Sequence, residues 1–305
     1  MKFIKSLILL ISTSLAFSSC QKDAHSQSSE VGLYASEDFH SYWYSGLAEV
    51  NAYQLSQSRY GESREGKAML IFVTEGFSKS KQVKLDNPDN AVQDKVTVMK
   101  LNYTKNFVTG IYPYSMMLSA FTPVSRNQFP NTLKITMSSQ EWCGHVFSQM
   151  NLLKNKYEVQ SYSYFEQEGD SQFNVEKVLL EDEFFTLIRI GPDHIPLGKV
   201  KILPGLFFTR LKHENLKPVD ATISKADISD KTTYTIQFTD RKMNIHVESQ
   251  FPFKILGWEE EFMEQGKTMH TSATLDQTLR IDYWRKNGNE FTGLRDSLGL
   301  SKNNY

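Results

Sequence analysis

The sequence predicts a mainly β fold: one large antiparallel, strongly curved sheet or open barrel with one or two short helices. Downstream of Phe39, β-branched and aromatic residues alternate with polar ones, and Gly, Asn, Asp and Pro interrupt them at short intervals. In the clearest stretch Val96, Val98 and Lys100 share one face and Thr97, Met99 and Leu101 the other. Apolar residues on both faces suit a sheet that is covered twice or closes on itself.

Taken in order, Gly46 to Tyr60 reads as a strand, 61–66 as a polar turn, and Lys67 to Thr74 as the returning strand. Arg59 and Arg64 are expected to pair with Glu62 and Glu65 there, a solvated network of small energetic consequence. Further strands are expected at Val96 to Tyr103, Ile111 to Thr122, Leu133 to Ser138, Glu141 to Met150 and Tyr157 to Phe165. Val175, Val178, Leu179, Phe185 and Ile188 fall near helical spacing, which predicts a helix from Val175 to Ile190, ended by Gly191-Pro192. Strands resume at Leu206 to Leu211, Val219 to Ala226, Thr232 to Thr239, Asn244 to Ser249, Lys254 to Glu261 and Thr268 to Asp282. Phe291 to Leu298 reads as a terminal helix. The stretch 191–205, rich in Pro and Gly, is the candidate hinge within an otherwise single β-rich domain spanning 39–305.

Composition narrows the function classes. Lys and Arg number 34 against 35 Asp and Glu, so no basic stripe exists for a nucleic acid backbone. A bilayer-crossing helix needs about 20 apolar residues, and no run of that length occurs. The N-terminus does carry an address. Lys2 and Lys5 precede the short apolar stretch Leu7 to Phe17, which predicts a signal peptide over 1–19. Phe17-Ser18-Ser19-Cys20 resembles a bacterial lipobox, which implies cleavage before Cys20 and a diacylglycerol on its sulfur. Gln21-Lys22-Asp23 resembles the export signal that sends Bacteroidota lipoproteins to the outer leaflet of the outer membrane. Several acyl chains on one residue anchor stably, and 20–38 then serves as the lipidated cysteine and a Ser- and Gln-rich flexible tether.

Two groups of residues carry candidate chemistry. On a strand, Glu141, Cys143 and His145 would share one face, and an imidazole that deprotonates a thiol while a carboxylate orients it makes a nucleophile. Their spacing of about 6.5–7 Å exceeds a direct hydrogen bond, so a buried Cys beside a half-exposed His is the competing reading. The aromatic residues form the second group. They amount to 12% of the chain, and rings on a curved sheet can stack on glycans or line a lipid pocket as readily as they fill a core. Tyr42, Tyr112, Trp142 and Tyr164 are the candidate ligand-binding residues, expected to line one cavity. The seven His residues are scattered, and no pair has the spacing of a helical zinc site, so no metal is assigned; His145 and His246 are the pair that could meet in space. No phosphate-cradling glycine loop or nucleophile elbow is present, and no cofactor is expected.

Several strings, Tyr42-Trp43-Tyr44-Ser45-Gly46, Gln57-Ser58-Arg59-Tyr60-Gly61-Glu62, Leu70-Ile71-Phe72-Val73-Thr74-Glu75, Gly110-Ile111-Tyr112-Pro113-Tyr114-Ser115 and Gln140 to His145, resemble a family of Bacteroidota lipoproteins often labelled septum formation inhibitor Maf. The resemblance implies an envelope lipoprotein without an established activity. Genuine Maf pyrophosphatases are cytoplasmic and carry Ser-Pro-Arg-Arg, whereas the nearest string here is Pro123-Val124-Ser125-Arg126. No pyrophosphatase residues carry over.

The sequence therefore leads to an expectation: a non-enzymatic, outer-membrane-anchored binding protein, held to the membrane by its lipid and exposed at the cell surface. Its ligand would be a lipid or lipid-linked glycan. The alternatives are a hydrolase using Cys143 and His145, and a structural partner in an envelope protein complex. Nucleic acid is not an expected partner.

Overall fold

The computed structural model describes residues 36–300. The expected signal peptide, Cys20 and most of the expected tether lie outside the described residues. The tether ends sooner than its composition suggests. Ser36 accepts the Phe39 N–H at 3.1 Å and caps a first helix, α1 (Glu37–Trp43), whose Phe39 and Trp43 are buried.

Four long strands follow: β1 (Ala48–Arg59), β2 (Glu62–Ser78), β4 (Lys95–Thr109) and β5 (Tyr112–Pro123), with the two-residue β3 (Val83–Lys84) paired to β2. The expected turn over 61–66 is shorter. Tyr60 and Gly61, both at positive φ, make a two-residue turn, and the ladder runs on to Arg59 opposite Glu62. The meander continues through β6 (Lys134–Glu141), β7 (Gly144–Leu153), β8 (Lys156–Ser163) and β9 (Ser171–Glu176). The helix expected from Val175 begins later, because β9 and β10 (Leu179–Leu180) take the first part and a 3₁₀ turn the acids Glu181 to Glu183. What remains is α2 (Phe184–Ile190), with every residue buried.

After β11 (Gly198–Leu203) the structure departs from expectation again: Leu206 to Leu211 is not a strand but most of a helix, α3 (Leu206–Lys212). The Glu181 carboxylate accepts the Gly205 N–H at 3.0 Å and Asp182 that of Leu206 at 2.9 Å. These acids satisfy the first N–H groups of a helix, and a local apolar run carries no sign of partners so distant in sequence. The chain ends in a second meander, β12 (Val219–Ile228), β13 (Lys231–Gln237), β14 (Arg241–Glu248), β15 (Ile255–Glu264) and β16 (Lys267–Ile281), followed by a 3₁₀ segment, Asn289–Leu298.

The sixteen strands of the described residues belong to one sheet, fifteen of them in the order β10-β11-β12-β13-β14-β15-β16-β1-β2-β4-β5-β6-β7-β8-β9, with β3 paired to β2 off this path. Every pairing is antiparallel except β10 with β11. The sheet is strongly curved. On a flat sheet β4 and β15, four positions apart, would be separated by about 19 Å, yet the Tyr103 and Trp258 rings meet at 5.4 Å. Lys201 of β11 and Glu176 of β9 pair at 3.2 Å across the sheet's two ends. No ladder joins those ends, so the barrel stays open.

The inner face wraps α2 and α3 in one large core. Met69, Val73, Val50 and Ala52 lie on the other face of the central strands, where Leu298 and Leu300 cover them. The candidate hinge at 191–205 lies inside this unit, with Ile195, Ile202 and Leu203 in the core. Among the described residues no helix is long and apolar enough to cross a membrane.

Candidate binding site

Hairpin tips decide where the sequence-predicted residues go. Glu141 ends β6 and Gly144 begins β7, so Trp142 and Cys143 form the turn between them and Cys143 is exposed. The expected face shared by Glu141, Cys143 and His145 is not made. Glu141 accepts the Cys143 N–H at 2.6 Å, and its hydrogen bond and charge push the thiol upward, away from the thiolate a nucleophile needs. His145 is exposed opposite Gln140. His246 bonds instead to Thr233 of the neighbouring strand, at 3.0 Å. Among the described residues no three His, Cys, Asp or Glu converge as metal ligands.

The four candidate rings divide. Tyr42 belongs to α1, where it donates to Glu49 at the start of β1, packs on Trp43 and Phe251, and lies under the Arg280 guanidinium at 3.8 Å. Tyr112, Trp142 and Tyr164 stand at the opposite rim, on the tips that neighbour the far end of β1, about 33 Å away for ten residues of strand. The single cavity expected for all four is therefore not formed. Three of them do converge. Tyr112 and Trp142 have ring centroids 6.4 Å apart and tilted by 34°, and Tyr164 lies against Gly144, where a Cβ would come within 2.7 Å of its ring. Trp142 is 69% and Tyr164 78% exposed. Trp142 and Tyr164 stand open at the tips, while Tyr112 is partly buried and packs against the core.

Beside this platform the inner face leaves a cavity of about 290 Å³ between β6–β9 and α3. Met137, Val146, Val159 and Phe173 of the sheet and Leu206 and Leu216 from the α3 side make its apolar wall. Its polar end is built by the β8–β9 loop and the end of α3. Arg210 reaches Glu168 at 2.5 Å and lies 4.8 Å over the Phe165 ring, and His213 meets the same carboxylate at 2.8 Å. Burial alone would raise the Glu168 carboxyl, but the Ser163 hydroxyl, His213 and Arg210 together hold it below its ordinary value. Phe165 also touches Tyr164, at 6.1 Å, which connects the loop beside Arg210 to that exposed ring.

Deeper in, the interior is polar but nearly filled. A chamber of about 40 Å³ is lined by Lys105, Glu181, Asp182 and Glu260 among the rings of Tyr103, Phe185 and Trp258. Volumes of this size admit water. Arg241 joins Glu181, through both guanidinium ends, to Glu260 at 2.5 Å. Burial, reinforced by Glu181, pushes Asp182 up to about 7, and burial pulls Lys105 down to about 8. Lys105 Nζ donates to Gln57 at 3.0 Å. Arg59 does not join the acids of the first turn; it donates to the Leu211 carbonyl and stacks on Tyr60, while Arg64 does pair with Glu62.

Sequence reasoning missed Arg210, His213, Glu168 and Lys105. A signal existed for the last: Lys105 continues the inward register of Met99, Leu101 and Tyr103, and a lysine at an inward position announces a polar interior. For Arg210 the strand assignment hid the helix. The chain matches no family model, no curated protein and no solved structure.

Proposed function

We propose that this chain is a non-enzymatic binding protein of the cell envelope, anchored in the outer membrane through a lipidated Cys20 and exposed at the cell surface. Its ligand is an amphiphile, a lipid or a lipid-linked glycan. The apolar part enters the cavity between β6–β9 and α3, and the polar part rests on Tyr112, Trp142 and Tyr164. One observation carries this reading: a cavity of about 290 Å³ is lined by Arg210, on which Phe165 packs, and Phe165 in turn meets the exposed Tyr164 ring. The hydrolase alternative loses support, because Glu141 opposes ionisation of Cys143. A protein partner is the second reading. Met117, Phe147 and Tyr162, linked across β5 to β8 through Ser138, form an exposed apolar row on the outer face.

Dodecyl maltoside below its micellar concentration is a probe with a sugar head and an alkyl tail. The full chain is expected to bind it in a one-to-one ratio by calorimetry. Trp142→Ala should weaken that binding and Val159→Trp, which fills the cavity, should abolish it. No saturable binding to the wild type would overturn the reading, and unchanged binding by Val159→Trp would remove the cavity from it.

A further inference from the structure

The cavity is asymmetric in a way that selects among amphiphiles. Its sheet side sets Met137, Val146, Val159 and Phe173 beside Ser148, Ser161 and Ser171, and its helix side carries Arg210, a side chain only 8% exposed. Both polar contacts of that guanidinium, to Glu168 and to His213 Nδ1, use Nη1. The Nε–Nη2 edge is left without a partner among the described residues. That edge is the one whose two parallel donors match a carboxylate or phosphate. One guanidinium face is covered by Phe165, which fixes the plane of the group before any ligand arrives. Glu168, the acid that Arg210 does hold, belongs to the loop between β8 and β9 and is half-buried.

Resting on the binding reading above, we propose that the ligand carries an acidic group, a phosphate or a carboxylate, at the junction between its apolar and polar parts, and that Arg210 grips it at the cavity mouth. The order of surfaces fits such a molecule. Apolar side chains of the sheet and Arg210 and His213 line the one cavity, Phe165 packs on Arg210, and Tyr164 packs on Phe165. A neutral amphiphile would use the first and last of these and leave the guanidinium edge to water. Charge-assisted hydrogen bonds to a partly desolvated arginine are the stronger kind, so the preference should be measurable.

The test compares three probes on the full chain by calorimetry: dodecyl phosphate, dodecyl maltoside and inorganic phosphate. Dodecyl phosphate is expected to bind about tenfold more tightly than dodecyl maltoside, and Arg210→Gln should bring the ratio of the two affinities to about one, whatever it does to each alone. Arg210→Lys, which keeps the charge and loses the fork, should retain part of it. Thermal melts establish that each variant is folded, and Arg210→Lys carries the test if Arg210→Gln is not. Equal affinities for the two dodecyl probes would overturn the inference while the binding reading stands; binding of neither would remove both. Inorganic phosphate should not bind measurably. If it binds as tightly as dodecyl phosphate, the site recognises a free anion and the proposed amphiphile is wrong.

Discussion

Around α2 the interior is filled and its ion pair is sealed inside the protein, with Arg189 Nε and Nη1 left without a hydrogen-bond partner, whereas between α3 and β6–β9 the same sheet leaves about 290 Å³ open and its charges reach solvent. Arg189 is the clearest case of the first regime. It is fully buried, pairs with Glu49 at 2.6 Å, and is flanked by the Trp43 and Phe72 rings at 5.0 and 5.1 Å. Burial would raise the Glu49 carboxyl, but Arg189, Tyr42 and Asn51 together hold it below its ordinary value. Arg210, in the second regime, shares a carboxylate with a half-exposed histidine. The contrast teaches that one curved sheet can be locked by its helical plug at one place and kept unfilled at another, and that only the second place has room for a guest.

Four measurements would break or sharpen that contrast. The largest effect belongs to Arg189→Met, which strands the buried Glu49 charge and should lower stability by about 3–5 kcal/mol in urea unfolding. Arg210→Met should cost less, because Glu168, 28% exposed, keeps contact with solvent when its partner is removed; equal losses would dissolve the distinction. Volume gives the next comparison. Leu187→Ala in α2, whose side chain has no exposure, should cost about 2–5 kcal/mol, while Val159→Phe, which grows into the cavity, should leave the melting temperature within a few degrees. A large loss from Val159→Phe would mean that the cavity collapses readily and is not a preformed site.

A smaller effect concerns pH. Asp182 has its folded pKa raised to about 7 from an ordinary 3.8, so the folded state binds more protons than the unfolded state between these values. Its contribution is complete below about pH 4 and is lost as pH rises through 7. Lys105, lowered to about 8 from 10.5, acts in a different window: its penalty is full below 8 and is relieved as pH rises toward 10.5. Asp182→Asn should therefore flatten the decline between pH 4 and 7, as read from urea midpoints across pH; it also removes a charge that supports the Lys105 ammonium. Persistence of the decline in that variant would assign it to another group. Trp142→Ala should do least, changing stability by under about 0.5 kcal/mol, because an exposed tip residue contributes no core packing. A larger loss would show that the platform is part of the scaffold.

The strands were legible because alternation records which face is covered, and the first hairpin was visible except for its exact turn, where Gly61 rather than the whole 61–66 run makes the reversal. Longer-range partners were not legible. The segment Leu206 to Leu211 has the composition of a short strand and becomes helical where Glu181 and Asp182 meet its first N–H groups. The string from Gln140 to His145 looked like one strand because nothing in it marks a turn except Gly144, whose backbone must also leave room for Tyr164. Three of the four aromatic candidates came together because hairpin tips of neighbouring strands are neighbours in space. Tyr42 was lost because no pattern in the sequence says at which rim a helix preceding β1 will sit.

The pairing of β1 with β16, from Ala48 opposite Ile281 to Ser56 opposite Ser272, sets a timetable as well as a shape. A chain that emerges from the ribosome N-terminus first makes β1 almost at once, yet cannot give it a second neighbour until the last strand has been synthesised. Through that interval β1 offers a bare row of N–H and C=O groups with Tyr53 and Leu55 beside it, the kind of edge on which other chains pair. The seam in the middle of the finished sheet is thus the last to close, and until then β1 has to be kept from closing on a neighbour.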